Sequence, residues 1–524
     1  MISLNGHDLS IGDVWKISSL EAACKLSPGA RPLIRRSRKL VEKLAAQPRA
    51  IYGINTGFGP LSGFRISRED QAQHQVNLLH HLTAGQGVLF SETETRAIML
   101  ARANTLARGF SGIREEVIEL LIAALNKNVL AEIPSEGSVG ASGDLVPLAH
   151  MACLLVGNGH TRVNGKRVKA AAALKQARLK SVVLQAKEGL ALVNGTSMMT
   201  GLAALATHEA EKILRWSELL TACLFQALGG EPEVLCQQIH MARGFRGQSL
   251  VARRISDSLR THPDYARRID EHQWGSQAKP VEPGAEIQDP YSLRCAPQIL
   301  GAFQEAHWHV AEVVTRELNA STDNPLIFPE TEMVIHGGNF YGQQIAMVSD
   351  YLRIGLIKVA LLAERQIERL VNWRYSRGLS PMLAGGAPGL NSGFSGAQLL
   401  ATSLAAEARL LGTAASIQTI PTNANNQDVV SMGSIAAKMT RAVLPLCWKI
   451  LAIEALALAQ AADLRAPKKV MGRDYAKLHA LVRELSPKLE GDRPLTGDIE
   501  RVTALLQSEA AQEKMGLNQV YEAD

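Results

Sequence analysis

Five long stretches with few helix breakers constrain this chain more than any other feature. Residues 198–227, 298–319, 341–372, 398–411 and 435–465 are rich in Ala and Leu and contain little Pro or Gly. Ala and Leu are strong helix formers. Within 341–372 the apolar residues Ile354, Ile357 and Leu361, with Leu362 beside the last, recur at helical spacing. Helices this long, without dominant heptads, predict a long bundle. Pro445 predicts a kink in the last of them. Aromatic residues make up only 5% of the chain, so the core is aliphatic, which suits close helix packing.

The first half reads differently. Gly53, Gly57, Gly59, Pro60, Gly63, Pro134, Gly137, Gly140, Gly143 and Pro147 break it into short pieces. Helical patterns cover 92–107 and 113–125, and 161–168 reads as a hairpin centred on Asn164-Gly165. Residues 263–288 are rich in Pro, Gly and charge and are expected to wrap the surface. Short helices are expected after Leu485. The predicted class is mainly α: a long central helical bundle with a smaller N-terminal mixed, loop-rich domain. The boundary is expected at residue 200, giving domains 1–200 and 201–524.

Several function classes are excluded. The formal charge is +6, but it is scattered in short clusters such as Arg35-Arg36-Ser37-Arg38-Lys39 and Ala466-Pro467-Lys468-Lys469. A nucleic-acid binder needs a basic stripe or a motif, and neither is present. The six cysteines are widely spaced and form no C-x-x-C pair, so reduced thiols are expected. The start, Met1-Ile2-Ser3-Leu4-Asn5-Gly6, lacks the pattern of a secretory signal. The most apolar run, 442–462, is interrupted by Lys449 and Glu454, so it reads as a buried core helix and not a membrane span. A cytoplasmic protein with no membrane or nucleic-acid partner is expected. Adjacent histidines such as His80-His81 diverge on a helix, as do those of His307-Trp308-His309, so no metal site is expected.

The most informative segment is 136–149, Glu-Gly-Ser-Val-Gly-Ala-Ser-Gly-Asp-Leu-Val-Pro-Leu-Ala. Gly and Ser together usually mark a turn. The pentad of a serine-hydrolase elbow and the lysine-bearing phosphate loop are both absent. Ala141-Ser142-Gly143 allows rarer chemistry. The amide nitrogen of Gly143 can attack the carbonyl carbon of Ala141, and loss of water closes a five-membered ring. Loss of the Ser142 hydroxyl then leaves an exocyclic methylidene. Gly143 has no Cβ, so its backbone can be compressed. Ala141 is small beside the ring, and Ser142 carries the departing hydroxyl.

The surrounding string resembles the signature of the aromatic amino acid lyase family. That family includes histidine, phenylalanine and tyrosine ammonia-lyases and related aminomutases. Further blocks resemble it in order: Tyr52-Gly53-Ile54-Asn55-Thr56-Gly57-Phe58-Gly59, residues 187–196 ending in Asn194-Gly195-Thr196, and Gln288-Asp289-Pro290-Tyr291-Ser292-Leu293-Arg294-Cys295. Asp323-Asn324-Pro325, Gly337-Gly338-Asn339-Phe340 and Asn425-Asn426-Gln427-Asp428 followed by Ser431-Met432-Gly433 complete the set.

The resemblance implies a methylidene-imidazolone made autocatalytically from Ala141-Ser142-Gly143, with no external cofactor. It implies Tyr52 as the base for the substrate β-proton, helped by inward-pointing helix N-termini. Arg294 is the implied clamp on the substrate carboxylate, and Tyr291 sits near the amine. Asn194 and Gln288 hydrogen-bond the prosthetic carbonyl or the substrate, and Asn324 and Phe340 line the pocket together with the Tyr52 loop as far as Gly59. A homotetramer with shared sites is also implied.

Substrate choice is read from His81-Leu82. Histidine lyases usually carry Ser-His there, phenylalanine lyases Phe-Leu, and tyrosine lyases His-Leu. An imidazole can exchange a hydrogen bond with a phenol. A buried imidazole left unpaired opposite phenylalanine costs roughly 1–3 kcal/mol. Histidine lyases typically have Glu where Gln427 stands, and Asn423, Asn426 and Gln427 resemble the tyrosine pattern. The expectation is conversion of L-tyrosine to trans-p-coumarate and ammonia, with slower use of L-phenylalanine. The alternatives are a tyrosine 2,3-aminomutase, a histidine ammonia-lyase, and a non-catalytic helical scaffold. The last predicts loss of key residues, and all of them are present.

Overall fold

The computed structural model describes residues 1–163, 166–272, 288–465 and 470–518. The chain is mainly α, as its composition predicts. The long helices are Ser197–Leu228, Ala296–Leu318, Gln343–Val371, Ser395–Leu410 and Gly433–Arg465. Each lies within a few residues of its breaker-poor stretch. The last runs without a break through Pro445. By length and composition it could cross a membrane, with a mean hydropathy of 1.9, but 83% of its most apolar window is buried in protein. It is a core helix.

The chain divides into two compact units. The first comprises Met1–His208, Val310–Asp350 and Ala414–Arg441, and the second Glu209–His309, Tyr351–Thr413 and Ala442–Asp524. Residues 1–200 therefore form a unit together with two later stretches of chain.

All described strands belong to the first unit. Ile2–Leu4 pairs in parallel with Cys24–Leu26, and Gln86–Leu89 pairs antiparallel with Pro134–Glu136. His160–Val163 pairs antiparallel with Lys166–Lys169, as the hairpin pattern predicts. Its centre, Asn164-Gly165, lies outside the described residues, as do 273–287 and the cluster 466–469. The helix Glu92–Ala107 starts where Ser91 and Glu94 form a capping box. A small aliphatic cluster of Leu40, Val41, Ile51, Ile54, Ala186 and Ile327 packs beneath the segment that carries Tyr52. A second cluster, Ala346, Ala415, Val430, Met432 and Ala436, takes Val139 and Ala141 against its face. It seats one side of the Ala-Ser-Gly loop.

Every regular element described in the second unit is a helix. Its core holds two fully buried tryptophans, Trp216 and Trp448. Trp216 donates from Nε1 to the Leu506 carbonyl at 2.8 Å. Residues 263–270 form a helix, not an irregular wrap, started by His262 with Pro263 in the first turn. The region after Leu485 holds the short helices Thr496–Gln507 and Glu509–Met515. The apolar spacing within 341–372 is helical, as expected; on that helix Ile354 is 49% exposed, whereas Leu352, Leu356 and Val359 are buried. Met347, Tyr351 and Ile354, at i, i+4 and i+7, form an exposed stripe on Gln343–Val371.

Candidate active site

Three helices start around Asp144, the residue that follows the Ala141-Ser142-Gly143 loop. Asp144 caps Leu145–Leu155 in sequence. Its Oδ2 accepts the backbone N–H groups of Met198 and Met199 at 3.0 and 2.9 Å, at the start of Ser197–Leu228. Its Oδ1 accepts from Ser434 Oγ at 2.7 Å, at the start of Gly433–Arg465. Helix N-termini carry partial positive charge, and here the first N–H groups of Ser197–Leu228 are met by the Asp144 carboxyl group. Burial raises the Asp144 carboxyl to about 6, opposed by these donors and by Arg102.

The loop is held on every side. Gly143 has φ +69°, and a Cβ there would overlap the Gly195 carbonyl. Asp144 donates its N–H to that carbonyl at 2.8 Å. Asn194 Nδ2 donates to the Ser142 carbonyl at 2.9 Å, and its Oδ1 is buried without a partner. Gln427 Nε2 donates to Ser142 Oγ at 2.7 Å. Ser431 Oγ donates to the Gly140 carbonyl at 2.8 Å. These residues fit the ring that the triplet can form: the nucleophilic amide lacks a Cβ, the Ser142 carbonyl has a side-chain donor, and the hydroxyl that must leave is held by an amide.

Beside the loop is a cavity of about 1210 Å³. Tyr52, Gly59, Ala141, Ser142, Gly143 and Asn194 line it. So do His81 and Leu82 from the helix Gln71–Leu82, together with Asn324, Phe340, Asn423, Asn426 and Gln427. Thirteen of the sixteen expected site residues thus meet in one place. The Tyr52 hydroxyl accepts the Gly59 N–H at 3.5 Å. The His81 Nδ1 lies 3.1 Å from the Asn77 carbonyl. A carbonyl only accepts, so Nδ1 carries the proton and Nε2 is left as an acceptor. Asn324 accepts the Gly337 N–H at 2.8 Å.

Gln288, Tyr291 and Arg294 do not join them. They belong to the second unit and are absent from the cavity lining. Tyr291 is 68% exposed, and the Arg294 guanidinium lies over its ring at 4.7 Å. One other expectation needs correction. His81 is exposed, not buried, so the cost of leaving its imidazole unpaired is largely relieved by solvent. Gln427 lines the cavity and also contacts Ser142.

The cavity also contains residues that sequence reading missed. His74 stacks on Phe58 with centroids 4.5 Å apart and planes within 8°. Burial, and secondarily the neighbouring His81, lower its pKa from the ordinary imidazole value. The signal was legible: His74 and His81 are i and i+7 on one helix and share a face. No Asp, Glu, Lys or Arg lines the cavity among the described residues.

Comparison with known proteins agrees with this geometry. The family model described as aromatic amino acid lyase matches residues 9–484. The chain belongs to the aromatic amino acid lyase family. A histidine ammonia-lyase from Gloeobacter violaceus is 42% identical over 96% of this chain and 95% of its own length. One from Bacillus subtilis is 40% identical over 97% of both chains. Among solved structures, a tyrosine aminomutase from Streptomyces globisporus superimposes with a TM-score of 0.92 at 36% identity, covering 100% of both chains. The lyase fold is therefore shared along the full chain.

Proposed function

We propose that this lyase eliminates ammonia from an aromatic α-amino acid with an uncharged ring, L-tyrosine first and L-phenylalanine more slowly, to give trans-p-coumarate or trans-cinnamate. The observation that carries the reading is the cavity: no charged side chain lines it among the described residues, and the His81 Nε2 is left as an acceptor for a phenol. An imidazolium ring would find no carboxylate there, because Gln427 is neutral.

A methylidene-imidazolone formed from Ala141-Ser142-Gly143 supplies the electrophile that turns the substrate amine into a leaving group. The rest is done by ordinary side chains. Tyr52 takes the β-proton, and the Gly59 N–H at its oxygen helps to orient the hydroxyl. Asn194 holds the Ser142 carbonyl. Phe340 and Asn324 bound the space for the ring. Arg294 clamps the substrate carboxylate with its planar fork, with Tyr291 and Gln288 beside it. These three come from the second unit, and we place them at the cavity of a neighbouring copy in a homotetramer. The exposed apolar stripe Met347, Tyr351 and Ile354 supports association.

Two other readings each have a supporting observation. The relatives at 40–42% identity are histidine ammonia-lyases, and this supports a histidine substrate more than it supports tyrosine. The aminomutase structure supports return of the amine to the β-carbon. One experiment separates all three. The purified protein is incubated with tyrosine, phenylalanine and histidine in turn, and products are identified by chromatography. p-Coumarate as the fastest product is the expected result. Faster urocanate overturns the substrate, and β-tyrosine as the main product overturns the reaction.

A further inference from the structure

The loop that must close is backed by a second glycine, and that glycine is backed by an arginine. Gly143 packs on Gly195 as an isolated bridge. Gly195 has φ +149°, and a Cβ there would overlap Arg102 Nη1 and lie 2.6 Å from Thr322 Oγ1. The chain therefore leaves no room for a side chain at two successive layers beneath the triplet.

Arg102 is fully buried on Glu92–Ala107. Its Nη2 donates to the carbonyls of Ala191 and Asn194, the latter at 2.8 Å, which brackets the turn into Gly195. Its Nε and Nη1 are buried without partners. Burial lowers its pKa to about 10, against the opposing charges of Asp323 and Asp144, so it remains charged at neutral pH. A buried charge with unmet donors is costly to stability. Burying such a group without full satisfaction calls for a reason other than stability.

We infer that Arg102 is a positioning residue for closure of the prosthetic ring: it clamps the Asn194–Gly195 turn against Gly143 and so presses the Gly143 nitrogen toward the Ala141 carbonyl carbon. The inference rests on the reading that the triplet closes. Closure forms the bond from Gly143 N to Ala141 C and expels the Ala141 oxygen as water with the amide hydrogens of Ser142 and Gly143. Dehydration then removes the Ser142 hydroxyl with its Cα hydrogen as a second water. No oxidant or metal is needed. The same clamp sets Asn194, whose Nδ2 holds the Ser142 carbonyl.

The test is intact-mass spectrometry of the full chain over time after cell-free synthesis, with circular dichroism to monitor folding. Wild type is expected to lose the mass of two waters, and Ser142→Ala to keep its hydroxyl-free chain from completing that loss. If wild type loses no water, the reading of the triplet fails and Arg102 is not at issue. Given wild-type closure, folded Arg102→Met is expected to retain both waters. Arg102→Lys can still reach one carbonyl and is expected to close about ten-fold more slowly, the effect of losing one charge-assisted hydrogen bond. Either variant, folded and closing at the wild-type rate, overturns the inference. If Arg102→Met does not fold, Arg102→Lys decides alone: slower closure supports the clamp, and wild-type closure overturns it.

Discussion

The two units of this chain use their sequence differently. The first holds every described strand, the Ala-Ser-Gly loop and the large cavity. It keeps backbone in left-handed conformations where function needs it, at Gly143 and at the run Asn423, Ala424 and Asn425. Such conformations cost free energy and persist only where the surroundings hold them. The second unit is built from long helices with an aliphatic core. One costly group there is Glu454, whose two carboxyl oxygens are fully buried without a partner. The first unit holds left-handed backbone at its cavity, and the second buries an unpaired carboxyl in its core. Changes at the cavity should move chemistry, and changes in the helical core of the second unit should move stability.

The contrast can be broken most sharply at Tyr52. Tyr52→Phe keeps the ring and removes only the hydroxyl. Its kcat is expected to fall by roughly 10²–10⁴-fold, the usual span for loss of a general base, with the thermal midpoint little changed. Steady-state kinetics beside a melting curve checks this, and a retained kcat removes Tyr52 from the chemistry.

A smaller effect is expected at His81. His81→Phe should raise kcat/KM for phenylalanine relative to tyrosine by about ten-fold, the low end for a lost polar partner because the imidazole is exposed. An unchanged ratio would show that the phenol is not read by His81.

The smallest effect on catalysis is expected at Glu454. Burial raises its pKa well above the ordinary carboxyl value. A raised folded-state pKa gives a contribution that is fully present below the unfolded value and lost as pH rises toward the folded one. Glu454→Met should therefore stabilise the protein by about 1–3 kcal/mol at neutral pH and flatten the fall in stability from pH 5 upward, with kcat unchanged. Denaturant melts across pH test it. A destabilised variant would mean that the carboxyl is serving the core.

The helices were legible because their signal is local. Ala and Leu at helical spacing, with few breakers, placed Glu92–Ala107 and the five long helices within a few residues. The cavity was legible because its residues sit in short ordered motifs. The exposure of Ile354 was not legible, because spacing alone does not say which face of a helix packs on the core. Arg102 was invisible for a related reason. An arginine in a helical pattern reads as solvated, and only packing against Gly195 makes it part of a clamp. Residues 1–200 read as a domain because the composition changes there, but contacts are not sequential, and Val310–Asp350 and Ala414–Arg441 join the same unit.

By itself the sequence determined the helical class, the family and the triplet able to become an electrophile, since each is written in residue type and short spacing. Tertiary structure decided which groups surround that triplet. Gly195 under Gly143, Gln427 on Ser142 and Asp144 at the starts of two later helices are contacts between segments far apart in the chain. The opening feature of the first unit, a loop of small residues, acquires its chemistry from those distant partners, because compression and orientation are properties of packing and not of composition.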